Sequence, residues 1–192
     1  MALTARPGAA IAITVDAKAG FDRVAASFGR MPQASERAMG RALRKLSIWL
    51  KRRALQAASQ AAQIPAKFFE RSVRYHVEIE KEGSTPVGLS VWIGTNPVKA
   101  HRLGAVRWSR RMQGARVGRK SYPGSWSWGR GKTGPAIMFR HGSSRLPLGV
   151  ETEKPHEPVL ARLSGLQDEA GARFERLLVQ ELNYALNHEV SR

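Results

Sequence analysis

The spacing of apolar residues along the chain changes period several times, and each change marks an element. Ile-Ala-Ile-Thr-Val at 11–15 alternates and is rich in β-branched residues, which predicts a short strand. At 21–29, Phe21, Val24 and Phe28 share one face of a short predicted helix. From 33 to 62 the residues are mostly Ala, Arg, Leu, Lys and Gln, all good helix formers. Met39, Leu43, Leu46, Leu50 and Ala54 recur at spacings of three and four, giving one apolar face. Pro32 suits the first turn of that helix, where a missing N–H costs nothing. Arg37, Arg41, Arg44, Lys45, Lys51, Arg52 and Arg53 occupy its other faces. Ile64-Pro65 stops the helix, because proline disfavours helical geometry in the residue before it. A short helical piece resumes over 66–72.

Beyond it the period drops to two. Over 73–80, Val73, Tyr75, Val77 and Ile79 alternate with Arg74, His76, Glu78 and Glu80, the signature of a half-buried strand. A turn at 83–86 and a second alternating run at 87–95, with Leu89, Val91 and Ile93, predict an antiparallel hairpin. A third strand is expected over 98–108. Residues 109–135 show no usable periodicity and read as a long glycine-rich loop. Loops beyond about 12–15 residues inside a compact domain are functional or disordered, so this one is expected to depend on partners for its order. Two further strands are expected at 136–140 and 145–151, with Pro147 restricting the second to an edge. The chain closes with a helix over 159–188, interrupted near Ser164-Gly165, whose apolar face carries Leu163, Leu166, Ala170, Phe174, Leu177, Leu182 and Ala185. The expectation is a single α+β domain over 1–192. A long N-terminal helix and a C-terminal helix pack on a small antiparallel sheet, and 109–135 forms a long basic loop.

Charge sharpens this picture. The net charge of +17 is unevenly spread: +8 over residues 1–82, +12 over 83–150 and −3 over 151–192. The middle stretch has twelve basic residues and no Asp or Glu, with Trp92, Trp108, Tyr122, Trp126, Trp128 and Phe139 among them. Such asymmetry points to a polyanion or an acidic protein surface as partner. The basic and aromatic residues singled out are Arg107, Trp108, Arg110, Arg111, Arg116, Arg119, Lys120, Trp126, Trp128, Arg130 and Lys132. Arginine and lysine release counterions from nucleic acid, and tryptophans stack on exposed bases. The same residue types also anchor protein interfaces. The residues alone leave both readings open, along with that of a merely flexible loop.

Little in the chain suggests catalysis. With no cysteine, disulfides, thiolate zinc sites and cysteine nucleophiles are excluded. His76, His101, His141, His156 and His188 do not occur at metal-binding spacings, and structural or surface roles are expected for each. Glu78, Glu80 and Glu82 read as a solvated strand edge rather than a metal site. Gly129-Arg-Gly-Lys-Thr133 lacks the first glycine of a phosphate loop, and no Gly-x-Ser-x-Gly elbow is present. No catalytic, cofactor or metal site is expected. Nor does any apolar run approach the ~20 residues that span a bilayer. The N-terminus has too short an apolar region for a signal peptide, which implies a cytoplasmic product.

The order of features resembles the prophage minor tail protein Z family, the tail-completion proteins of long-tailed phages. The residues that carry the resemblance are the helix ERAMGRALRKLSIWLKRRA, then IPAKFFERSVRYHV, a hairpin, a Gly/Arg-rich segment, AIMFRHGSSRLPLGV and a closing amphipathic helix. It covers about residues 20–187. It implies a non-enzymatic structural virion protein that completes the tail or joins it to the head. It further implies a homo-oligomeric ring, six copies being natural for a tail tube, with other neck and tail proteins as partners, and it leaves open DNA in the channel. The implied location is the virion, with the host cytoplasm as the site of assembly. The alternative is a free basic nucleic-acid-binding protein.

Overall fold

A computed structural model describes residues 2–6, 10–18, 32–70, 75–83, 85–111, 113–131 and 134–188, with backbone alone at 2–6, 32, 130, 131 and 134. The fold is α+β: two long helices pack on a small antiparallel sheet, and a second group of short strands rises from one end.

The main sheet holds β1 (Ala2–Arg6), β2 (Ala10–Asp16), β3 (Tyr75–Glu82) and β4 (Thr85–Gly94) in the order β1-β2-β4-β3, every pair antiparallel. Its alternation sets cross-strand rows on one face: Ile11 beside Ile93 and Tyr75, Ile13 beside Val91 and Val77, Val15 beside Leu89 and Ile79. The β2 and β4 members of these rows are fully buried, and those on edge strand β3 are half-buried. The expected hairpin is present. β1 pairs with β2 without having announced itself in the sequence. The short helix expected at 21–29 lies outside the described residues, as do Val73 and Arg74 of the β3 prediction.

Helix α1 (Pro32–Ala62) covers the apolar rows, and Met39, Leu43, Leu46, Leu50 and Ala54 are all buried, as their spacing predicts. It ends where Gln63 turns left-handed (φ 54°), and the Ile64 N–H donates back to the Ser59 carbonyl at 3.2 Å. Pro65 then starts the short α2 (Ala66–Phe69). The closing helix α3 (His156–His188) is continuous, which corrects the expected break at Ser164-Gly165. A glycine in mid-helix costs about 1 kcal/mol, and the buried face of Val159, Leu163, Leu166 and Ala170 outweighs that. α1 and α3 run antiparallel in one register, with Arg41 against Glu181 (2.7 Å) and Arg53 against Glu169 (3.0 Å).

Most of the described part of 109–135, the region expected to be a long loop, is strand joined by tight turns. After β5 (Val98–Lys99), a 3-10 turn (Ala100–Leu103) interrupts what the sequence offered as one strand to 108. A meander then follows: β6 (Val106–Ser109), β7 (Gly114–Val117) and β8 (Lys120–Pro123). β9 (Trp126–Gly131), β10 (Gly134–Arg140) and β11 (Leu148–Val150) form another antiparallel sheet in the order β11-β10-β9. The two terminal strands expected here are present, with β11 on the edge after Pro147. The loop expectation failed because the meander strands are four residues long, too short for alternation to register. The glycines also serve these strands. Gly118 and Gly124 supply the positive φ of the turns. A Cβ at Gly114 would stand 2.1 Å from the Tyr122 carbonyl oxygen, so only glycine lets β7 and β8 approach.

These short strands form a lobe with a core of its own: Ala100, Ala115, Val117, Tyr122 and Ile137. Leu103 packs against both this cluster and the main core. At the base of the lobe β5 pairs antiparallel with β12 (Thr152–Glu153), Val98 opposite Glu153 and Lys99 opposite Thr152.

Candidate functional site

The basic and aromatic residues, interleaved in sequence, separate in space. In the meander, cross-strand register fixes two faces. Ala115 and Tyr122 share a row with Trp108, and Val117 with Val106, on the face that meets the lobe core. On the other face Arg107 stands directly opposite Arg116, with Ser121 next in the row, and both arginines are exposed. Like charges so placed repel, by up to about 1 kcal/mol, so the row works against folding. Arg116 holds itself in place by donating from Nε to the Gly118 carbonyl at 3.2 Å. Arg110 and Arg111 lie exposed in the β6–β7 turn, and Arg119 in the β7–β8 turn at the opposite end of the strands. Arg119 also borders a groove of about 350 Å³ whose far wall is Gln63, Ile64 and Pro65 at the end of α1.

Trp126 and Trp128 belong to the other small sheet. Two residues apart on β9, they share its outward face with Ala136 and Met138 of β10 and Leu148 and Val150 of β11. Ile137 on the opposite face enters the lobe core. Arg140 sets its guanidinium 5.5 Å from the Trp126 ring centre, a cation–π contact. Trp128 is 61% exposed and Trp108, at the open end of its row, 60%. Arg130 lies on β9, and Lys132 is outside the described residues.

Lys120 differs from the other basic residues. Its ammonium pairs with the Glu153 carboxylate, and both are mostly buried. The other oxygen of Glu153 accepts from the Tyr122 hydroxyl at 2.7 Å. Burial and then the Glu153 bond push the Tyr122 hydroxyl far above its ordinary pKa. The triad therefore ties the meander to the strand that leaves the lobe. Lys120 is committed inside the chain and does not join the exposed arginines. No sequence pattern announced this, because Lys120 and Glu153 are 33 residues apart.

The basic face of α1 divides in the same way. Arg41 and Lys45 both reach Glu181, Lys45 at 2.5 Å. Burial raises the Glu181 carboxyl, but the bonds and charges of Lys45 and Arg41 win and hold it below the usual range. Lys51 lies over the Tyr75 ring at 5.4 Å. Arg37, Arg44 and Arg52 stand exposed.

The histidines are dispersed. His156 shares a buried 2.7 Å hydrogen bond with the Thr95 hydroxyl. His101 is buried in the 3-10 turn with no hydrogen-bond partner at Nδ1. Burial, then Arg102 and Lys99, lower its pKa below the ordinary histidine value. His76 is exposed 3.7 Å from Glu78, His141 packs edge-on to Phe139, and His188 lies against Tyr184. Among the described residues no three of His, Cys, Asp or Glu gather as a metal site, and no helix is long and apolar enough to cross a membrane. No family model, curated protein or solved structure matches the chain.

Proposed function

We propose that the protein is a structural component of a tailed phage or prophage particle, completing the tail or joining it to the head as one copy of an oligomeric ring. The observation that carries this reading is the division of the lobe into two unlike outward faces, one of arginines and one of tryptophans with aliphatics. A subunit of a ring meets two different neighbours and needs two different surfaces. An inward arginine face suits the phosphates of DNA in a channel. The resemblance to the minor tail protein Z family points the same way.

The test is the protein content of purified particles, read by mass spectrometry, beside the yield of a variant carrying Arg110→Glu, Arg111→Glu and Arg119→Glu. The expected result is a low, fixed copy number per particle and a large fall in infectious yield for the variant. Absence from particles, or normal yield, overturns the reading. A second reading, a free nucleic-acid-binding protein, is favoured by one specific observation: Arg107 and Arg116 face each other unscreened by any carboxylate on that row. It predicts salt-sensitive binding of the isolated chain to DNA, with a slope that falls by about one for each phosphate-contacting arginine removed.

A further inference from the structure

The outward face of β9-β10-β11 is an apolar surface on which no helix or strand among the described residues is packed. Trp126, Met138, Leu148 and Val150 are half-buried and Trp128 is exposed, with Arg140 and Arg145 exposed around them. A sheet face of this composition is a surface for protein rather than for phosphate. The cation–π contact from Arg140 to Trp126 is internal to it, and Trp128, Met138, Leu148 and Val150 make the rest of the face apolar. Its occupant needs apolar groups to cover the tryptophans and carboxylates to meet the arginines.

The outward stripe of α3 offers both. Ala161, Asp168, Ala172, Glu175, Val179 and Leu186 recur along it at spacings of three, four and seven, and all are exposed. The small residues allow close approach, Val179 (51% exposed) and Leu186 supply apolar area, and Asp168 and Glu175 supply charge. The other long helix is excluded by the same arithmetic. α1 exposes Ile48, but it has seven basic residues and Glu36 as its one acid, so it would repel an arginine-rimmed face. We infer that the tryptophan face of the lobe docks the outward stripe of α3 on a second copy of this chain. The contact is heterologous, each copy giving its lobe to one neighbour and its helix to the other. Such contacts close into a ring or extend into a filament according to the rotation between copies. The inference rests on the assembly reading above and adds to it the pair of surfaces.

The absence of cysteine makes the test clean. Trp128→Cys and Val179→Cys are prepared as separate single-cysteine chains. They are mixed and mildly oxidised, both purified at high concentration and co-expressed in cells producing particles. The expected result is a mixed cross-link at least about tenfold more abundant than either self-pair, and a ladder of multimers when both cysteines are on one chain. Adding Glu175→Arg to the Val179→Cys chain should suppress the cross-link by about tenfold, and Arg140→Glu on the Trp128→Cys chain should restore it, as expected of a specific charge pair. A dominant Trp128→Cys self-pair would show an isologous contact and overturn the inference, as would no cross-link in either setting. Particle content is read separately. Protein present in particles without the mixed cross-link removes this inference and leaves the proposed function standing. The cross-link without incorporation does the reverse.

Discussion

Among the described residues, thirty-one buried apolar residues fill the space between the two long helices and the four-stranded sheet, whereas five fill the core of the basic lobe. Each fully buried aliphatic or aromatic side chain contributes roughly 1.5–3 kcal/mol, so the scaffold can lose one and remain folded. The lobe has no such reserve. It depends on the Lys120–Glu153–Tyr122 cluster, on glycines that let strands approach, and on Leu103, which borrows from the larger core. It also carries the repelling row of Arg107 and Arg116. The difference shows which region gives up stability to its surface charge. The scaffold pairs Arg41, Lys45 and Arg53 with carboxylates of α3, though Arg37, Arg44 and Arg52 of α1 stand exposed, while the lobe sets Arg107 against Arg116 at a cost to its own stability.

The strongest way to break this contrast is in the two cores. Leu46→Ala should cost about 2–5 kcal/mol and lower the far-UV transition of the whole chain. Ile137→Ala, with the same chemistry, should instead produce an early transition in tryptophan fluorescence, because Trp108, Trp126 and Trp128 are three of the five tryptophans and all belong to the lobe. A single shared transition in both variants would mean that the lobe has no independent stability.

A smaller effect is expected at the internal clamp. Glu153→Gln strips Lys120 of its counter-charge in a mostly buried site and should cost about 1–3 kcal/mol, again seen first in tryptophan fluorescence. Titration should distinguish the regions further. His101 has its pKa depressed in the fold, so the unfolded chain binds the proton more readily. The stability it contributes is present above about pH 6.5 and is lost as pH falls below that value. The lobe should loosen with acid in that window, and His101→Gln should blunt the pH dependence. The smallest effect belongs to the arginine row. Arg116→Thr should raise the lobe midpoint slightly in dilute salt, with the gain shrinking as screening increases, even as it weakens any polyanion binding.

The scaffold was legible in the sequence because its periods are long. The α1 and α3 stripes run along most of helices 31 and 33 residues long, and β2 and β4 alternate long enough to show a buried face. Four-residue strands joined by glycines carry no such signal, so in sequence the meander reads as a loop. The candidate site was half legible. Composition located the arginines and tryptophans, but whether Arg107 and Trp126 share a surface depends on which small sheet each strand joins. That is set by pairings such as Trp126 with Met138, invisible in local spacing. The fate of Lys120 was hidden for the same reason.

The pairing of β5 with β12 at the base of the lobe has a consequence for the chain's modularity. The backbone enters the lobe at Val98 and leaves it at Glu153 as adjacent, hydrogen-bonded neighbours, and the Ala100 N–H donates to the Glu151 carbonyl at 2.9 Å. The intervening half-hundred residues thus form a cassette whose ends already meet. Cutting it out and closing the gap with a tight turn should leave α1, α3 and the main sheet folded, at a loop-closure cost that grows only slowly with the length removed or inserted. The same geometry makes this the place where a chain of this architecture can exchange one lobe for another without redesigning its scaffold.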